Sequence, residues 1–239
     1  MFESLRCRFM SWLDGFLDES DQEWDAFYWK IEKAKLKPVR YIDSQWEEQN
    51  MQKKRRKTKN YPLEVTLSSG EKIIIPRQSQ FKNEWLREHG CSLMAEYIAL
   101  QYLGQEKIKV NGRNVGIYPV NLLKWHKKYT PAQVKAKVTV KGVAEGINEL
   151  AKGNGMAKYY KTVSAKRMKK ALKDGDLVIM EQGNPIHTIV LLPDKNGAYI
   201  ANHGKVEKVN VDDVAKKATN DRKYRGMVIV SKGGDHEVD

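Results

Sequence analysis

Four residues set the covalent chemistry open to this chain: Gln80, Cys91, His187 and Asn202. A cysteine attacks a carbonyl as its thiolate, so a nucleophilic thiol needs surroundings that favour negative charge. Cys91 directly precedes the apolar, helix-forming run SLMAEYIALQYL. That predicts a helix amino end at the sulfur, where free N–H groups and the helix dipole favour an anion. Gly90 lets the backbone turn sharply and lets a substrate come close. Cys7 lies between Arg6 and Arg8 near the amino end and has no such setting.

The thiol also needs a base, and an imidazole is the usual one. Of the five histidines, His89 is two residues from Cys91 and points away from it at the helix entry. His126 falls on a basic helix face, His203 follows a strand end, and His236 is in the carboxy-terminal tail. His187 opens the apolar run HTIVLL just after a proline-containing turn, where a rigid strand can hold a catalytic ring at an edge. The base needs an orienting group in turn. If residues 187–192 and 198–202 pair through a turn at Asn196–Gly197, Asn202 returns beside His187; His203 and Asp194 are weaker substitutes. The oxyanion of the reaction needs donors. The Cys91 N–H is one, and an upstream glutamine is the other, with Gln80 favoured over Gln78.

These residues need a helix first and a sheet last. Residues 63–76 alternate, turn at Ser69–Gly70 and stop at Pro76, which predicts a β-hairpin. Helical spacing runs from Cys91 to Leu103, with Gly104 as the stop. Further helices are predicted over residues 119–129 and 143–153, the second weakened by Gly146. Residues 164–173 form a short helix, residues 176–181 a strand, and residues 182–185 a turn. Strands follow over 187–192, 198–202 and 205–209, then a helix over 211–218. A last strand, 226–230, closes the sheet. Helices first and an antiparallel sheet last is an α+β order.

The chain has 239 residues and a formal net charge of +13. That charge is unevenly placed. Residues 1–50 carry 7 Lys/Arg against 11 Asp/Glu, and their apolar residues, several of them tryptophan, recur at helical spacing. The run KKRRKTK at 53–59 then joins this head to a basic body. We therefore expect a helical, Trp-rich accessory segment over 1–60 ending in a basic linker, and one catalytic domain over 61–239. The basic charge reads first as a solvated surface; the alternative is a weak contact to nucleic acid or an anionic surface through Lys53, Lys54, Arg55, Arg56 and Lys57. No stretch has the length and apolarity of a membrane-spanning helix. The amino end lacks the order of a secretory signal, so the expected location is cytoplasmic, with secretion by another route as the alternative. Two distant cysteines and scattered histidines lack metal-ligand spacing, and no phosphate-binding glycine loop is present. No cofactor is expected.

The order Gln80, Trp85, Gly90-Cys91-Ser92, then His187 opening an apolar strand, then a Tyr199-containing return strand ending at Asn202, resembles the papain-like cysteine peptidases. The resemblance covers about 75–231 and is nearest to the branch of bacteriocin-processing peptidases, which cut leaders after paired glycines, and their stand-alone bacterial relatives. It implies a Cys-bearing helix packed on an antiparallel sheet that carries the His. It also implies Cys91 as nucleophile, His187 as base, Asn202 as orienter and Gln80 at the oxyanion. The chain departs from the family in three places. Cys91 is followed by Ser92-Leu93-Met94 instead of the usual glycine, the gap from Gln80 is long, and Asn202 stands where this branch more often has Asp. The expected activity is hydrolysis of peptide or amide bonds through a thioester. The alternatives are an inactive papain-like module that binds a peptide, nucleic acid or anionic surface, and an acyl or peptidyl transferase using the same thiol.

Overall fold

The computed structural model describes residues 63–182, 187–202, 205–220 and 224–233. The expected head over 1–60, the cluster Lys53–Lys57, Cys7, His203, His236 and most of the 182–185 turn lie outside the described residues.

Helix and strand both contribute, in the expected α+β order. A hairpin of β1 (Leu63–Thr66) and β2 (Lys72–Ile75) comes first, with Gly70 taking φ +86° at its turn. A 3-10 turn (Gln78–Gln80) and a short helix α1 (Glu84–His89), capped by Asn83 Oδ1 accepting from Leu86 N at 3.1 Å, then lead into α2 (Cys91–Tyr102). The α2 helix ends as its sequence predicts: Gly104 adopts φ +71° and Gln105 N–H donates to Leu100 O, satisfying a carbonyl of the last turn. Next come β3 (Lys107–Val110) and β4 (Arg113–Gly116), α3 (Pro119–Tyr129), α4 (Pro131–Lys135) and α5 (Val140–Ala151). The β3–β4 hairpin was not expected, although its Asn111–Gly112 turn, with φ +50° and +80°, has the favoured chemistry. Helix α5 begins earlier than residue 143 because Thr139 Oγ1 caps it, accepting from Gly142 N.

The six-stranded sheet has the order β5-β10-β6-β7-β8-β9, and every neighbouring pair is antiparallel. Its strands are β5 (Gly155–Tyr160), β6 (Leu177–Gln182), β7 (His187–Asp194), β8 (Gly197–Asn202), β9 (Lys205–Val209) and β10 (Tyr224–Lys232). The last strand does not close the sheet at an edge. It inserts between β5 and β6, and β5, for which the sequence predicts no element, is one edge, with β9 as the other. The turn from β7 to β8 is Lys195–Asn196, one residue earlier than expected, because Asp194 pairs with Gly197. Gly197 has φ +142°, and a Cβ there would lie 2.7 Å from Val209 O, so glycine is required on both counts.

Helices cover both faces of the sheet. The larger core joins α1, α2, α3, α5 and both hairpins to Leu177, Ile179, Val190, Leu192, Ala201, Val228 and Val230. The smaller core joins α6 (Ala165–Lys173) and α7 (Val211–Asn220) to Val178, Met180, Ile189, Leu191, Met227 and Ile229. Strands β6, β7 and β10 thus bury side chains on both faces, which explains their unbroken apolar runs. Helix α2 is buried almost all round and carries the candidate nucleophile at its tip.

At the far end of β7, Asp194 accepts from Lys208 Nζ at 2.7 Å, tying the edge strand β9 to the sheet. That hydrogen bond holds the Asp194 carboxyl below the usual carboxylate range. A carboxyl depressed on folding stabilises the native state above its unfolded value, and this stabilisation is lost as pH falls through the folded value. Asp194→Asn should therefore speed amide exchange in β9 at neutral pH. With rates corrected for the pH dependence of intrinsic exchange, acidification below the carboxylate range should lower the protection of β9 in the wild type and leave the variant unchanged.

Candidate active site

Cys91 is the first residue of α2 and is half-buried. The N–H groups of a first helical turn have no partner within the helix, so the sulfur sits at a donor-rich tip. Gly90 is needed here for space: a Cβ would lie 2.4 Å from Leu86 O. This crowding lets α1 run directly into α2.

A small cleft opens at this tip, lined by Ile75, Pro76, Gln78, Cys91, His187 and Thr188, with Met94, Ala95, Ile98, Val190 and Ala201 as its apolar floor. Its solvent-sized space amounts to about 20 Å³. The slot therefore has room for little more than one water. Cys91 and His187, 96 positions apart in sequence, thus share one cleft. His187 is 9% exposed and is the first residue of β7.

The sulfur also has a hydrogen-bond partner on β7. Cys91 Sγ lies 3.8 Å from Thr188 Oγ1 and donates to it, and Thr188 Oγ1 is 3.0 Å from Ser92 Oγ. Strand alternation explains the choice. Thr188 has the parity of Val190 and Leu192, which pack in the core containing α2, whereas Ile189 and Leu191 pack in the other core. His187 has the second parity and still lines the cleft, as the first residue of its strand.

The remaining expected residues fall as follows. Asn202 ends β8 and pairs with Lys205, one position beyond Ala201, whose partner is Val190. Gln80 is half-buried in the 3-10 turn but is not among the residues lining the cleft; Gln78 is. Gln78 Nε2 donates to Arg87 O at 3.2 Å, which leaves its second N–H available. The sequence reading weighed both glutamines, and spacing alone could not separate them, because the 3-10 turn sets which one faces α2.

His126 does not lie on a basic surface. It is 0% exposed, and its Nε2 is 2.7 Å from Glu96 Oε2 on α2, while Nδ1 meets Thr130 Oγ1 at 2.8 Å. Glu96 is also 0% exposed, and its Oε1 has no hydrogen-bond partner. The pair links α2 to α3 from the side away from the cleft. Gly146 of α5 makes room for it: a Cβ there would meet Glu96 Oε1 at 2.5 Å and His126 Cε1 at 3.2 Å. Among the described residues, no group of three or more His, Cys, Asp or Glu is placed to hold a metal ion. No helix among them is long and apolar enough to cross a membrane.

No family model matches this chain, and no curated protein matches it. Among solved structures, it is similar to the crystal structure of a candidate C39-like peptidase from Bacillus anthracis. The two share 15% sequence identity at a TM-score of 0.32, over 62% of this chain and 91% of that one.

Proposed function

We propose that residues 61–239 form a papain-like cysteine peptidase domain that hydrolyses peptide or amide bonds through a thioester on Cys91. The observation that carries this reading is the meeting of Cys91, at the tip of α2, and His187, at the start of β7, on the walls of one cleft. In the proposed reaction His187 takes the Cys91 thiol proton, and the thiolate attacks the substrate carbonyl carbon. The C–N bond breaks, the leaving amine takes a proton from His187, and the acyl group remains on sulfur. Water then adds to the thioester with His187 as base, and the acid leaves. Asn202 orients His187. The oxyanion is held by the Cys91 N–H and by the side chain of Gln78, which replaces Gln80 in this role because it faces the cleft.

The narrow apolar slot beside the sulfur fits a substrate with small residues near the scissile bond, the preference of the bacteriocin-processing branch. A panel of short peptides with glycine, alanine or leucine on each side of the cut tests the reading. Turnover should favour the glycine peptides and vanish in Cys91→Ala. Equal turnover by wild type and Cys91→Ala would end the proposal.

One observation favours a second reading. The sulfur meets a threonine hydroxyl, and that geometry also suits a non-catalytic module of the same fold. Such a module would bind a peptide, or an anionic surface through Lys53, Lys54, Arg55, Arg56 and Lys57. Its binding would be salt-sensitive and would survive Cys91→Ala.

A further inference from the structure

We propose that Thr188 and Ser92 form a hydroxyl relay that supports the ionised form of the Cys91 sulfur, making Thr188 a positioning residue for the nucleophile; this rests on the peptidase reading above. The relay is short, closed and internal. Thr188 Oγ1 touches both Cys91 Sγ, at 3.8 Å, and Ser92 Oγ, at 3.0 Å. Ser92 is 4% exposed and Thr188 5%, so solvent does not take over these bonds. Both hydroxyls are held by rigid elements, one in the first turn of α2 and one in β7.

Hydrogen counting shows what the relay does. A hydroxyl has one hydrogen and can both donate and accept. With a neutral thiol, the sulfur donates to Thr188 and Thr188 donates to Ser92, which leaves the Ser92 hydrogen without a partner in the relay. With a thiolate, Ser92 donates to Thr188 and Thr188 donates to sulfur. Every hydroxyl hydrogen is then used, and the bond to sulfur is charge-assisted. The switch needs only two O–H rotations, with no heavy-atom movement. The proton lost from sulfur goes to the base or to solvent in the cleft.

Iodoacetamide alkylation of Cys91 tests this in a Cys7→Ser chain, with the modified residue mapped by peptide mass spectrometry. At pH 6.5, Thr188→Val should slow alkylation about tenfold, the effect of losing one hydrogen bond to a charged group. Ser92→Ala should slow it about threefold, because the charge-assisted bond survives but loses its support. Thr188→Ser should restore the rate, and at pH 10 all four proteins should react alike. A purely structural Thr188 would not give this pH-dependent split. Wild-type alkylation at pH 6.5 by a Thr188→Val chain with native circular dichroism would overturn the relay, as would failure of Thr188→Ser to restore it. Slowed alkylation without peptide turnover in the wild type would uphold the relay and defeat the peptidase reading.

Discussion

His126→Ala should destabilise the domain by about 3–5 kcal/mol, the cost of breaking a fully buried charged or proton-sharing pair from one side. Both partners are 0% exposed, and the imidazole makes two side-chain hydrogen bonds, to Glu96 and to Thr130. Removing the ring leaves the whole Glu96 carboxyl buried without a partner, since its Oε1 already lacks one. A domain of this size is stabilised by only about 5–15 kcal/mol, so this loss takes a large share. Glu96→Gln should cost less, because an amide of the same shape still hydrogen-bonds the imidazole. Replacing both residues with apolar ones of similar volume should recover much of the loss. Urea denaturation followed by tryptophan fluorescence measures all three. A loss below about 1 kcal/mol for His126→Ala would mean that the pair carries no more than an exposed contact does.

His187→Ala should lower kcat/KM by about 10²–10⁴-fold, the usual contribution of a positioned general base. The substitution falls at the first residue of β7, before its ladder of core pairs, so the sheet should persist. Circular dichroism should match the wild type while turnover collapses. This variant also separates the two readings of the site. If the imidazole serves the sulfur, activity and Cys91 reactivity fall together. If Thr188 is the sulfur's sole functional neighbour, reactivity is unchanged and the non-catalytic module is favoured.

Much of this arrangement was legible in the sequence because it rests on local rules. Cys91 between a glycine and an apolar run gave a helix tip. Gly104 gave the helix stop, and the apolar runs after residue 176, punctuated by turn residues, gave the antiparallel strands. What escaped depended on contacts between distant segments. Strand β5 is short and half-polar, and it is held as an edge by β10, about seventy residues later. His126 was read from its own helix, where Lys124, Lys127 and Lys128 suggest a solvated face. Its partner is 30 residues upstream, on a helix whose other residues are nearly all apolar. Gly146 was read as a weakness of α5 on propensity alone, yet it is the space that the buried pair occupies. The Asn111–Gly112 hairpin followed a turn rule already applied at Asn196–Gly197 and simply went unused. Thr188 gives no signal of its own in the sequence, since only its parity on β7 turns it toward α2.

The central proposal is that the Cys91 sulfur becomes acylated during turnover. Intact-mass spectrometry of the Cys7→Ser chain, acid-quenched within seconds of mixing with an N-acyl-Gly-Gly p-nitrophenyl ester, measures this directly. We predict one acyl adduct that maps to Cys91, decays once ester is removed, and forms more slowly in His187→Ala. An unmodified Cys91 under the same quench, with ester consumed no faster than in buffer, would contradict it.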